Sequence, residues 1–219
     1  MKAKDFAAIG KVLAPKLPKS VIRGPMLMFA PVMHILRGLQ FDSSSSDADS
    51  FYVWSFILSL FVPTEFVHGS LGNRLRLRSG ADRWNRKNND FMSQLNDAVQ
   101  KDALPVLMRA DTVPGAIEVL QEQLDRSGGK AGSTREALAY CLAFTGRYDQ
   151  SNEHLKLIAG SLDRSIAWQK EKAERAELLM AKIAQGPEAV QAQLNEWRAQ
   201  TVHNLGFSEL LSPTTMGAA

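Results

Sequence analysis

The feature that most restricts this sequence is the regular placing of helix boundaries in its second half. After residue 88, apolar residues recur at helical spacing and are interrupted at ADTVPG, RSGGKAGS, TGRYD, LDRS and QGP, which cuts the region into about six helices. The second helix of each successive pair is expected to begin near Val113, Tyr148 and Pro187, roughly 35 to 39 residues apart. That spacing lies in the range for stacked helical hairpins. Pro114 and Pro187 both fall in a first helical turn, where a missing N–H costs nothing, and are followed by Ala116-Ile117 and Ala189-Val190. Phe91, Leu95 and Val99 share one face before Pro105; Ala173, Ala176, Met180 and Ile183 share another, as do Val190, Leu194, Trp197 and Thr201. Glu171 and Arg175 stand at i,i+4 and are expected to pair on an outer face.

The middle pair carries a more detailed pattern. In REALAYCLAFTGRYDQSNEHLKLI, the residues Leu138, Ala139, Leu142, Gly146, Tyr148 and Leu155 place a small residue at the helix contact, a glycine in the turn and a tyrosine opening the second helix. Over these 24 or so residues the chain resembles a tetratricopeptide hairpin, departing from it at Ser151 and in lacking a proline after the second helix. The resemblance implies a helical stack that binds proteins and implies no catalysis.

The first half reads differently. Phe6, Ile9, Leu13 and Leu17 mark an amphipathic helix that Pro15 and Pro18 end. Pro31 argues against a continuous helix or central strand over Pro25 to Leu36. Ile35 to Asp42 and Phe51 to Val62 read as two strands joined by DSSSSDADS, the second buried on both faces. In NRLRLR, Arg74, Arg76 and Arg78 alternate with Leu75 and Leu77, the period-two signature of a strand with one wet face. SGADRWNRKNND then reads as a linker. The expected core is Tyr52, Trp54, Phe56 and Leu58 in the sheet, with Leu138, Ala139, Leu142, Tyr148, Leu155, Trp168, Leu179, Leu194 and Trp197 in the helices.

Bulk properties narrow the class. The longest apolar run, Phe51 to Val62, is too short to span a membrane as a helix. One cysteine, Cys141, excludes an internal disulfide and two-cysteine zinc or redox motifs, and an inert core thiol is its expected state. The first 24 residues hold six basic residues and Asp5 but no apolar signal segment, and they are poor in Arg and Ser for a presequence. An ordinary first helix in a cytoplasmic protein is the expectation. Residues 1–90 carry 13 Lys and Arg against 7 Asp and Glu, and residues 91–219 carry 13 against 16. A basic half followed by an acidic one suggests two surfaces with different tasks, or two regions that attract each other.

No catalytic pattern emerges. His34, His68, His154 and His203 are scattered, and Gly69-Ser70-Leu71-Gly72 is neither a nucleophile elbow nor a phosphate loop. Asp42-x-Ser44-x-Ser46 has an oxygen-ligand spacing, but it lies in a serine run that matches by accident, so no metal and no cofactor are expected. Glu171, Glu174 and Glu177 read as a solvated face. The most unusual local feature is basic: Arg74, Arg76, Arg78, Arg83, Arg86 and Lys87 fall close together with Trp84 among them, opposed by Asp82. Arginine forks suit phosphates and carboxylates, and an aromatic ring could stack on a base. The plainer reading is a solvated sheet face whose arginines pair with the acidic helical half.

The combined expectation is an α+β chain: an N-terminal helix and small antiparallel sheet over residues 1–88, about six helices over 89–206, and a loose tail over 207–219. The leading functional reading is a protein-binding module, whether adaptor, chaperone-like factor or immunity-type inhibitor, using the helical stack and the basic face. The second is nucleic-acid binding through the segment from Arg74 to Lys87, and the third an enzyme with a site assembled from distant residues.

Overall fold

The computed structural model describes residues 1–67, 72–130 and 132–211. The expected readings of His68, of Gly69-Ser70-Leu71 and of the tail beyond Leu211 lie outside them. The packing separates two units, residues 1–58 with 71–111 and 208–219, and residues 59–70 with 112–207. This grouping differs from a division at residue 88, because the chain leaves the sheet before returning to it.

In the sheet unit, α1 (Ala3–Leu13) forms where Phe6, Ile9 and Leu13 line one face, and all three are buried. A short 3₁₀ turn over Ala14–Lys16 carries Pro15, and the sheet begins at β1 (Ser20–Arg23). It continues with β2 (Met26–Phe29), β3 (Ile35–Ser43), β4 (Ser50–Ser59), β5 (Gly72–Arg74) and β6 (Trp84–Asn85). The order is β1-β2-β3-β4-β5, with β6 on β4. β1 and β2 pair antiparallel, Ser20 facing Phe29 and Arg23 facing Met26. β2 is thus an interior strand, against the sequence expectation; it ends at Phe29, so Pro31 never has to supply a ladder N–H. β3 approaches β2 so closely that a Cβ on Gly38 would lie 2.2 Å from the Leu27 carbonyl oxygen, which only a glycine tolerates.

The two strands flanking the serine loop form, but β4 ends at Ser59, three residues before Val62, and its core register is shifted in the first half only, Phe56 and Leu58 being buried as expected. Phe51 and Val53 are fully buried while Tyr52 and Trp54 are half-buried; from Ser55 onward both faces are covered. Phe6, Phe41, Phe51 and Phe91 form a run of ring contacts with centroid separations of 5.8 to 6.2 Å between successive rings at Phe6–Phe41, Phe6–Phe51 and Phe51–Phe91. Phe91 opens α2 (Phe91–Ala98), which passes through a π-helical turn (Val99–Ala103) into α3 (Leu104–Arg109). Leu95 and Val99 are buried as their spacing predicts.

The helical unit contains α4 (Val113–Arg126), α5 (Gly132–Phe144), α6 (Tyr148–Ser161), α7 (Ala167–Gln185) and α8 (Pro187–Leu205). Consecutive helices pack on one another, and α4, α6 and α8 start at the three residues that the spacing marked. Thr112 caps α4, its hydroxyl accepting from the Gly115 N–H at 3.2 Å. Gly146, at φ +77°, turns α5 into α6. Ser151 is buried against α5 and its hydroxyl donates to the Ala139 carbonyl at 2.8 Å, so a polar side chain occupies a small, close-packed position with its donor satisfied. Cys141 is fully buried in α5, its thiol 3.7 Å from the Ser59 hydroxyl; burial pushes the thiol up to about 12, against the pull of that hydroxyl. Among the described residues no helix is long and apolar enough to cross a membrane.

Candidate functional site

The basic segment of the sheet unit is largely neutralised by nearby acids. Only Gly72–Arg74 of the expected arginine strand pairs as β5, yet the alternation persists beyond it, with Leu75 buried and Arg76 and Arg78 exposed. Arg74 pairs with Asp82 at 2.8 Å and lies 4.3 Å and 4.5 Å from the ring centroids of Tyr52 and Trp54, a cation held over two aromatic faces. Arg78 pairs with Asp97. Asp49 receives both Arg86 and Lys87 at 2.6 Å, and Arg86 also stands 3.8 Å from Asp5. Bonds from Lys87 and Arg86 hold the Asp49 carboxyl below its ordinary range, and Arg74 does the same for Asp82. These partners are Asp5, Asp49, Asp82 and, on α2, Asp97, rather than a general acidic half. Arg76 and Arg83 are exposed and form no ion pair with another described residue.

Trp84 does not serve the stacking role that its place among arginines suggested. It is 0% exposed, lies in β6, and its indole N–H donates to the Leu75 carbonyl at 3.1 Å. The stretch read as a linker is therefore pinned to β4, with Ser50 opposite Asn85 and Phe51 opposite Trp84. Beside it, Asp47 accepts from the Ser50 hydroxyl at 2.6 Å, and the Ser44 and Ser46 hydroxyls bond each other at 3.0 Å. Within the serine loop the side-chain oxygens of Ser44, Ser46, Asp47 and Asp49 are engaged by neighbours. No cluster of three or more His, Cys, Asp or Glu suited to a metal occurs among the described residues.

The helical unit holds a cleft of about 580 Å³ whose components the sequence reading did not assemble. Glu136 on α5 is 3% exposed and its carboxylate takes four donors. Lys172 reaches Oε2 at 3.0 Å; Arg175 Nη2 and Nε reach Oε1 at 2.9 and 3.3 Å, and the Tyr140 hydroxyl reaches the same oxygen at 3.2 Å. Lys172, 6% exposed, also donates to the Gly132 carbonyl at 3.0 Å. Tyr140 stacks on Trp197 with centroids 5.1 Å apart. Burial, reinforced by the Glu136 charge, pushes the Tyr140 hydroxyl well above its ordinary range, so it is a donor at any physiological pH. Arg175 turns inward to this carboxylate instead of pairing outward with Glu171. Burial works against its charge, and Glu136 with Tyr140 more than restores it.

The rim of the same cleft is of another character. Trp168, expected in the core, is 61% exposed; it stands on α7 at i, i+4 and i+7 with Lys172 and Arg175, so it shares the face that lines the cleft. Phe66 is 66% exposed, and Glu65, Glu171, Ser133, Gln200 and Asn204 complete the rim. One wall is the loop that follows β4: the Thr201 hydroxyl donates to the Val62 carbonyl at 3.1 Å and the Asn204 amide to the Thr64 carbonyl at 3.3 Å. Phe61 stacks on Phe144 at 4.7 Å. Side chains of α8 thus hold a stretch of non-helical backbone by its carbonyls. The sequence signal was present: Lys172 is a charged residue set beside Ala173 and Ala176 on an apolar face, which calls for a buried partner.

The chain matches no family model, no curated protein and no solved structure, so the roles of these residues rest on their geometry.

Proposed function

We propose that this chain is a protein-binding module whose helical unit takes up an extended segment of a partner protein in the cleft between α5, α7 and α8. The observation that carries the reading is the cleft itself: α8 already holds residues 62–64 by backbone carbonyls, and next to them Trp168 offers an exposed indole. Exposed tryptophan in a concave, pre-formed setting is a typical anchor for protein contacts. The α5–α6 hairpin, with Gly146 in its turn and Ser151 at the helix contact, supports reading this unit as tetratricopeptide-like. Binding fits the cleft better than acid–base catalysis, because both Glu136 oxygens are taken up by donors and its lysine and arginine are fixed upon it.

The test is affinity purification from host cells, with and without nuclease, of the wild-type chain and of Trp168→Ala. A protein recovered in stoichiometric amount, resistant to nuclease and lost with Trp168→Ala, is the expected result. If everything captured disappears with nuclease, the exposed Arg76 and Arg83 and the nucleic-acid reading move to first place.

A further inference from the structure

The charges that line the cleft fall into two classes. Lys172 and Arg175 are spent on Glu136 at the floor. Glu65 and Glu171 are exposed at the rim, and the side chain of neither forms an ion pair or hydrogen bond with another described residue. Three carboxylates against two cations leave the lining net negative, and its unspent charges are both carboxylates. The same cleft is lined by the exposed indole of Trp168 and the exposed ring of Phe66. An aromatic face attracts a cation, and carboxylates accept the hydrogen bonds that the cation donates. A phosphate or an acidic side chain would meet repulsion at the rim and find the floor cations already engaged.

Resting on the protein-binding reading above, we propose that the occupant of this cleft is a lysine or arginine side chain of an extended partner segment. Its cationic head lies over Trp168 and is hydrogen-bonded by Glu65 and Glu171. The backbone of that segment has a ready contact in the exposed amide of Gln200, which stands one turn before Asn204 on α8, the residue already holding the Thr64 carbonyl. The arrangement selects one basic residue rather than a basic run, because Glu65 and Glu171 are the two charged groups of the rim. Neither Glu65 nor Glu171 contributes an ion pair to the fold among the described residues, so changing them tests recognition with little effect on folding.

A phage-displayed library of random 12-residue peptides, selected on the full chain, tests the proposal. Enrichment of peptides with a single central Lys or Arg is expected. Binding of a representative peptide should weaken roughly tenfold in the Glu65→Gln/Glu171→Gln double variant and be lost in Trp168→Ala, since a close charge pair contributes on the order of a few-fold to tenfold each. Replacing the basic residue by norleucine should cost a comparable factor. Enrichment of acidic peptides, or basic peptides that bind the double variant and Trp168→Ala undiminished, would overturn it. So would concentration-dependent self-association abolished by Trp168→Ala, which would make a second copy the occupant. If no basic peptide is selected yet a cellular protein is captured through Trp168, the inference fails while the protein-binding reading stands; if neither occurs, both fail.

Discussion

The two units deal with charge in opposite ways. The sheet unit keeps its ion pairs near the surface, where Arg74, Arg78, Arg86 and Lys87 find aspartates of the same unit. The helical unit buries a carboxylate and a lysine together between α5 and α7, with a half-buried arginine beside them. A surface pair gains little because water screens it and the side chains lose freedom. A buried cluster costs much in desolvation and is held by complete hydrogen bonding, so removing one member is far worse than never having had it. The charges of the first unit therefore shape its surface, whereas those of the second fix which helices meet.

The sharpest way to break this comparison is Glu136→Ala, which leaves Lys172 buried and Arg175 half-buried without a counter-charge. Urea denaturation is expected to show a loss of about 3–5 kcal/mol. Replacing the whole cluster with its tyrosine, as Glu136→Leu/Tyr140→Phe/Lys172→Met/Arg175→Met, should leave stability near wild type or above it; a large loss there would mean that the ions stabilise in their own right. The weak point of the sheet unit is steric instead. Gly38→Ala forces a methyl against the Leu27 carbonyl and should cost about 1–3 kcal/mol in the same measurement. Ser151→Ala removes one buried hydrogen bond to the Ala139 carbonyl, for about 1 kcal/mol.

Surface pairs give the smallest effects and the clearest dependence on pH. Because bonds from Lys87 and Arg86 depress the Asp49 carboxyl in the folded chain, its contribution is present above about pH 4, the ordinary aspartate range, and is lost as pH falls through the depressed value. Acid titration of unfolding should show this loss in the wild type and a flatter profile in Asp49→Asn. Arg78→Ala should change stability by no more than about 0.5 kcal/mol, and less at high salt.

The periodic parts of the fold were legible in the sequence, and the rest was hidden for identifiable reasons. Helix starts at Val113, Tyr148 and Pro187 could be read because proline, glycine and tyrosine punctuate the chain locally. The hairpin β1–β2 escaped because four-residue strands carry too short a pattern, and Pro31 lies just beyond the second. The β4 register was misread because its aromatics occupy both faces: Tyr52 and Trp54 spend their rings on Arg74, while Phe51 and Val53 fill the core. Trp84 was mistaken for a surface aromatic because its core partner, the Leu75 carbonyl, is a backbone atom that no side-chain pattern reveals. The cleft was legible only in part, through a lysine on an apolar face, for a similar reason. Its parts come from residues 62–66, α5, α7 and α8, and nothing local ties Glu136 to a lysine 36 positions later.

Residues 60–67, which follow β4 in the chain but belong with the helices, bear on how the protein is made. On a ribosome the first 58 residues emerge before any helix of the second unit, yet the sheet unit receives its last described contact from residues at the other end of the chain. There the Val32 N–H donates to the Leu210 carbonyl at 2.7 Å. Neither unit can be complete until nearly the whole chain has been synthesised. Phe61 and Val62 must wait through the synthesis of some 80 and 140 further residues for Phe144 and Thr201. A cut at any single point in the sequence should thus yield fragments that lack part of their own core. Whatever the partner of the cleft, it meets a binding wall that is finished only when α8 arrives.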